Sequence, residues 1–248
     1  MKSITIKTKL IIFLIILTLF FLVKEKELIF LSTLIIALIS AIIVDSSWYY
    51  FKNRKFSISE SSIISALIIG FVLASDNSWW IIVLTSLFAM SSKYLIRINK
   101  KHIFNPAAFG IFLSIILFGA NTQWRGTFLW YIFVPVGSYF IYKIRKLELL
   151  FSYSAIALGL FAIQAGLNKI SILNIFGYLS YFFIFIMLIE PKTTPIKPLA
   201  KLIFGILVAC LIFILIQVQV RFDVELAALL ILNLFVPLLY KIPERREA

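Results

Sequence analysis

The chain has 248 residues, 62% of them hydrophobic and only 14% charged, and carries a formal net charge of +13. Soluble domains are about half apolar and about a quarter charged, and so apolar a chain lacks the polar groups to cover a water-facing surface. Soluble enzymes, disulfide scaffolds and disordered chains are therefore excluded. A membrane β-barrel is excluded too, because the apolar residues come in unbroken runs rather than alternating with polar ones.

Ten apolar segments follow one another along the chain: Leu10–Val23, Leu28–Tyr49, Ile63–Ala74, Trp79–Met90, Phe104–Ala120, Phe128–Tyr142, Leu149–Leu167, Ile172–Ile189, Leu202–Val220 and Val224–Tyr240. The first resembles a signal peptide, but Lys24-Glu25-Lys26-Glu27 follows it instead of a small-residue cleavage site, so it reads as a retained helix. Segments three and four fall short of the roughly 20 residues of a full span. Either their ends extend into the polar flanks, or they are broken helices whose backbone is satisfied inside the protein.

The basic residues give an independent reading of topology. With the N-terminus cytoplasmic and ten spans, 19 of the 24 Lys and Arg residues fall on the cytoplasmic side. The outer loops hold only Lys24, Lys26, Arg125, Lys169 and Arg221. That asymmetry is the positive-inside pattern, and both termini are expected in the cytoplasm of a multi-pass cell-membrane protein. The positive charge is thus a topology signal, and nucleic acid is not an expected partner. Ten spans divide into five and five. Odd-numbered halves insert in opposite senses, so the expected fold is all-α: one membrane domain over 1–248, built of two inverted five-helix repeats, about 1–122 and 123–248.

The rare residues narrow the chemistry. A single histidine, His102, and a single cysteine, Cys210, leave no ligand set for a haem or a transition metal, so no metal site is expected. No phosphate-binding glycine loop is present. Among the polar residues, Asn105 and Pro106 open segment five, where they serve as an ordinary helix start or expose amides to a polar ligand. Glu190, Thr193 and Thr194 lie on the turn Glu190–Pro195 after segment eight, either a surface loop or a hydroxyl-rich turn folded toward a cofactor or ion. Glu190 ends a helix, where its charge opposes the helix dipole. A partner is expected for it: a cation, Lys93, or the amides near Asn105. Asp45 and Glu225 interrupt apolar runs near span ends, and Asn233 lies deeper in segment ten, four residues before Pro237. Ionisable groups inside a span mark ion pathways or face headgroup water. Trp79, Trp80, Trp124 and Trp130 read mainly as an aromatic belt, with stacking on a ring as the lesser alternative, for which Trp80 is the candidate.

These motifs, in their order, resemble the RnfD/NqrB family. Ser62–Ala74 is similar to its T-G-L-L-L-A helix, Trp79-Trp80 to its P-W-W turn, Lys93 to its lysine, and Phe104–Gly110 to its F-N-P-A motif. Met187–Pro195 is similar to its A-T-D-P-V-T-S-P turn, Ile203-Phe204-Gly205 to its I-F-G, and Glu225–Pro237 to its last helix. The resemblance implies a ten-helix inverted repeat like that of urea and ammonium transporters. It implies an integral subunit of an ion-translocating electron-transport complex, of ferredoxin:NAD or NADH:quinone type, that is not an enzyme by itself. Other membrane and flavoprotein subunits are the implied partners, beside the lipid bilayer.

The cofactor implied is FMN or riboflavin, with Lys93, Asn105, Pro106, Thr193, Thr194, Trp80 and Thr127 as binding candidates. Glu190, Asp45, Glu225 and Asn233 are the ion-pathway candidates. The family's S-G-A-T attachment loop is absent, and only Asn121–Thr127 stands in its place, so any flavin is expected to be non-covalent. The alternative function is a solute channel or carrier of the same fold.

Overall fold

A computed structural model of the protein describes residues 5–25, 28–98, 101–127, 129–169 and 171–240. Lys2, Lys26, Lys100, Lys241, Arg245 and Arg246 of the charge count lie outside the described residues, as do Glu27 and the first residue of segment six, Phe128. The chain forms two compact units: residues 1–102 with 106–125, and residues 103–105 with 126–248.

The first unit holds α1 (Ile6–Glu25), α2 (Leu28–Asn53), α3 (Glu60–Val72), α4 (Trp79–Leu95) and α5 (Pro106–Phe118), with a small hairpin of β1 (Arg97–Ile98) and β2 (Lys101–His102). Segments three and four resolve differently. α4 extends five residues past Met90 into its polar flank. α3 gains a turn at its N-terminus, where Ser59 caps the Ser62 amide, but stops at Val72. Its 13 residues reach only about 20 Å, against a hydrocarbon core of about 30 Å. Beyond the stop the chain is extended and bonds to the strand-like stretch after α5. Ala74 N donates to Asn121 O (3.0 Å), Gln123 N to Val72 O (2.8 Å) and Arg125 N to Phe71 O (2.8 Å). The backbone beyond α3 is thus satisfied by protein backbone, which would suit a stretch shielded from water.

The second unit holds α6 (Trp130–Lys143), α7 (Leu147–Leu167), α8 (Pro198–Gln217) and α9 (Val224–Leu239). Segment eight departs from the expected continuous span. It is a 3-10 stretch, Ile172–Tyr178, then an extended Leu179, then a short helix with a π-turn at Phe183–Met187. Gly177 weakens the first stretch, and Ser180 accepts the Phe183 amide (3.4 Å), capping a new helix start.

Several pairings recur in the two units, although α3 also packs on α4 and α5 in the first. In the first, α2 packs on α3 and α4, α4 on α5, and α1 on α3. In the second, α7 packs on the 3-10 stretch and α8, α8 on α9, and α6 on the π-turn. The third element is the broken one in both. Close approach rests on small residues. A Cβ on Gly110 would lie 2.4 Å from the Thr85 carbonyl oxygen of α4, and one on Gly205 would lie 2.1 Å from Ser152 Oγ of α7.

Helices α1, α2, α7 and α8 are long and apolar enough to cross a membrane, and α3, α4, α5 and α9 are shorter apolar helices. Large exposed side chains along them, among them Ile16, Val23, Ile39, Ile163 and Ile214, are what a lipid-facing surface requires. The protein is a multi-pass membrane protein.

Candidate functional site

The polar residues of the first unit converge on Asp45, which is only 1% exposed. α2 runs two turns past it, to Asn53, so Asp45 faces inward against α4 and the start of α3. Lys93 Nζ donates to Asp45 Oδ1 at 2.7 Å and to Ser59 Oγ at 3.1 Å. Ser59 Oγ donates to Asp45 Oδ2 at 2.5 Å, and the Tyr94 hydroxyl donates to Oδ1 at 2.9 Å. Ser59 is also the N-cap of α3, so the carboxylate lies by the positive end of that helix. Trp48 stacks on Tyr94 with ring centroids 5.6 Å apart, and the Arg97 guanidinium lies 4.9 Å from the Tyr94 ring. Two residues nominated for different work, an ion pathway and a cofactor, are one buried ion pair. Lys93, one of three candidate partners for Glu190, is bonded to Asp45, to which α2–α4 packing brings it.

At the other end of the first unit a residue assigned only to an outer loop is buried. Arg125 is 5% exposed and closes the broken end of α3. Its guanidinium donates to Leu73 O (2.9 Å), Ser75 Oγ (2.7 Å) and Gln123 Oε1 (2.5 Å), and it lies 4.7 Å over the Phe30 ring. A cation at helix C-terminal carbonyls answers both their unmet bonds and their partial negative charge.

In the second unit the turn after segment eight folds inward. Thr193 and Thr194 are buried. Thr193 Oγ1 donates to Glu190 Oε2 (3.2 Å) and Thr194 Oγ1 to Glu190 O (2.6 Å). The Lys146 ammonium, at the start of α7, donates to Thr194 Oγ1 (2.8 Å). Beside it, Lys201 donates to Arg145 O (2.7 Å) and Glu148 Oε2 (2.9 Å). Sequence reasoning counted Lys146 and Lys201 only as cytoplasmic charges.

Elsewhere in this unit Glu225, in the first turn of α9, accepts a hydrogen bond from Ser180 at the break in segment eight. Ser180 Oγ also lies 3.4 Å from Thr127 Oγ1. The charged group felt by Glu225 is a second carboxylate, Asp223, and among the described residues no lysine or arginine pairs with it. Farther along α9, Asn233 is fully buried, and neither its Oδ1 nor its Nδ2 has a partner among the described residues. Pro237 has no amide hydrogen, so the Asn233 carbonyl also lacks its helical donor.

Two of the flavin candidates in the first unit lie far apart. Trp80 and Lys93 lie at opposite ends of α4, about 20 Å apart at 1.5 Å per residue. Trp80 is 41% exposed and meets Phe118 edge-on at 5.3 Å. Asn105 is buried ahead of α5, with Pro106 as the first helical residue. Lys93, Thr193 and Thr194 already hydrogen-bond within the protein, so the residues present do not fit a flavin as they stand.

No curated protein matches the chain. The model of the NQR2, RnfD, RnfE family matches residues 2–131, which run from the N-terminal residues through the whole first unit into α6. The half-helix α3, the Asp45–Lys93 pair and the Asn105-Pro106 helix start all lie in that stretch, and with more than half of its length matched the chain belongs to the NQR2, RnfD, RnfE family of membrane subunits of Rnf- and Nqr-type complexes.

Proposed function

We propose that the protein is the integral membrane subunit of an electron-transport complex that moves Na⁺ or H⁺, and that ion coupling lies in the second unit, at Glu225 with Ser180 and Thr127. The observation that carries this reading is a half-buried carboxylate in an apolar helix that accepts from the Ser180 hydroxyl and, among the described residues, has no basic partner. A carboxylate set in an apolar helix without a basic partner is costly even when half-buried, and such a group is retained where a cation or proton neutralises it. Asp45, already neutralised by Lys93, has no such need.

The pairings that the two units share support a ten-span repeat, and the bias of Lys and Arg to one side supports its inversion with both termini cytoplasmic. The broken third elements then sit as the half-helices that carry ion sites in transporters. The absence of an S-G-A-T attachment loop supports a non-covalent association of any FMN or riboflavin with this chain. Protein precipitated with acid should release its yellow colour to the supernatant. Fluorescence that stays with the denatured band would make Thr127 the attachment point and refute this part.

The function is tested by reconstituting the complex in vesicles and following ion uptake when the electron donor is added. Uptake with wild type and its loss with Glu225→Gln are the expected results. Equal uptake by both would remove Glu225 from the path. The solute-carrier alternative has one support, a cavity of about 170 Å³ in the second unit lined by Phe161, Gln164, Asn168 and Tyr178. Donor-independent uptake of a small amide would favour it.

A further inference from the structure

Lys146 stands at the joint between α6 and α7 and is 3% exposed. Its ammonium points into the turn after segment eight. It donates to Thr194 Oγ1 (2.8 Å), to Thr194 O (3.3 Å) and to Pro195 O. All three acceptors are neutral. The carboxylate close by, Glu148, is bonded to Lys201 instead, so two buried lysines share one partly exposed acid. The other charges of this region are Lys143 and Arg145 before α7, and Glu190, Lys192 and Lys197 on the facing turn.

We propose that Lys146 is a proton-binding site whose charged and neutral states are both satisfied in place by the Thr194 hydroxyl. An ammonium has three N–H donors, and the site offers three oxygens. In that state Thr194 Oγ1 accepts from Lys146 and donates to the Glu190 carbonyl at 2.6 Å. When the proton leaves, the bonding pair stays on nitrogen and water takes the proton as hydronium. The neutral amine keeps two N–H donors for the Thr194 and Pro195 carbonyls. Its new lone pair accepts from Thr194, whose hydroxyl hydrogen turns away from Glu190 O.

A hydroxyl that both donates and accepts lets the seat satisfy either state, which three fixed carbonyls could not do. Proton occupancy is thereby transmitted to the backbone of Glu190. Burial, then the charge of Lys201, bring the pKa of Lys146 down to about 7 against the opposing pull of Glu148, which places the exchange in the physiological range. Use of this proton in ion movement rests on the function proposed above. The binding of it does not, so failure of the Glu225 reading leaves the test below unaffected.

The test is a titration of the full-length protein in nanodiscs with ¹³Cε-labelled lysine. One lysine signal should titrate near pH 7 and be missing in Lys146→Arg. Absence of a near-neutral lysine in wild type would overturn the proposal. Thermal melting gives a second readout with a fixed sign. The folded pKa is about 7 and the ordinary value 10.5, so the unfolded chain holds the extra proton between those limits. Stability therefore rises with pH in that window, about tenfold in the unfolding equilibrium per pH unit, and this contribution is flat below pH 7. Lys146→Met should lose that rise. An unchanged pH dependence in Lys146→Met would contradict the proposal. Should that variant not fold, the labelled wild-type titration decides.

Discussion

Asp45 in the first unit and Glu225 in the second are both carboxylates set into apolar helices, and the protein treats them in opposite ways. Asp45 receives a lysine, a tyrosine and a serine, all donating to its two oxygens, and lies beside a helix N-terminus. Glu225 receives one serine and faces another acid. A fully paired buried charge holds elements together, here α2, α3 and α4. A carboxylate short of donors and without a basic partner is a place where a cation or a proton changes the local energy most. Composition alone would rank the two acids equally, and only their surroundings separate a staple from a site.

Breaking the staple should cost most. Asp45→Ala strands the Lys93 ammonium in a buried site, and removal of one partner of such a pair costs about 3–5 kcal/mol. The loss should appear as a fall in melting temperature or of folded yield in detergent. Replacing both partners together, Asp45→Leu with Lys93→Met, should recover most of it, because an apolar pair of similar volume is often neutral or better. A single variant that melts like wild type would mean that the pair does not hold the first unit together.

Arg125→Ala should have the next largest effect. It strands buried carbonyls at the broken end of α3 and removes several hydrogen bonds to a charged group, each worth about 1.5–3 kcal/mol. A net loss of about 3 kcal/mol is expected from differential scanning fluorimetry. Arg125→Lys should restore only part of it, since an ammonium lacks the planar fork. Full restoration by lysine would show that the charge alone caps the helix.

Most of the helical architecture was legible in the sequence, because long apolar runs between charged flanks leave the backbone few choices in lipid. The break in segment eight was not. Its residues are as apolar as any span, and the interruption is set by Gly177 with a restart at Ser180, residues common in unbroken helices too. The break after Val72 was foreseen only as one of two options, since a short run can extend or stop. Asp45, Lys93, Glu190, Thr193 and Thr194 stood out as polar residues against an apolar background. Their partners did not, because pairing such as Asp45 with Lys93 spans 48 positions and depends on α2–α4 packing. Lys146 and Arg125 were hidden for the opposite reason: each sits in a basic or polar loop, where burial leaves no local signature.

Stability should respond least to Glu225→Gln, with a change below about 1 kcal/mol, because the substitution keeps the volume and a hydrogen-bond acceptor for Ser180. That small effect makes it the sharpest variant for function. The most direct measurement sets Glu225→Gln beside Asp45→Asn in the assembled complex and records melting temperature and donor-driven ion uptake for both. Glu225→Gln should melt like wild type and lose ion uptake tenfold or more, whereas Asp45→Asn should melt lower, with the folded fraction still moving ions. The reverse result, uptake lost only with Asp45→Asn, would contradict the division between a stapled first unit and an ion-responsive second one.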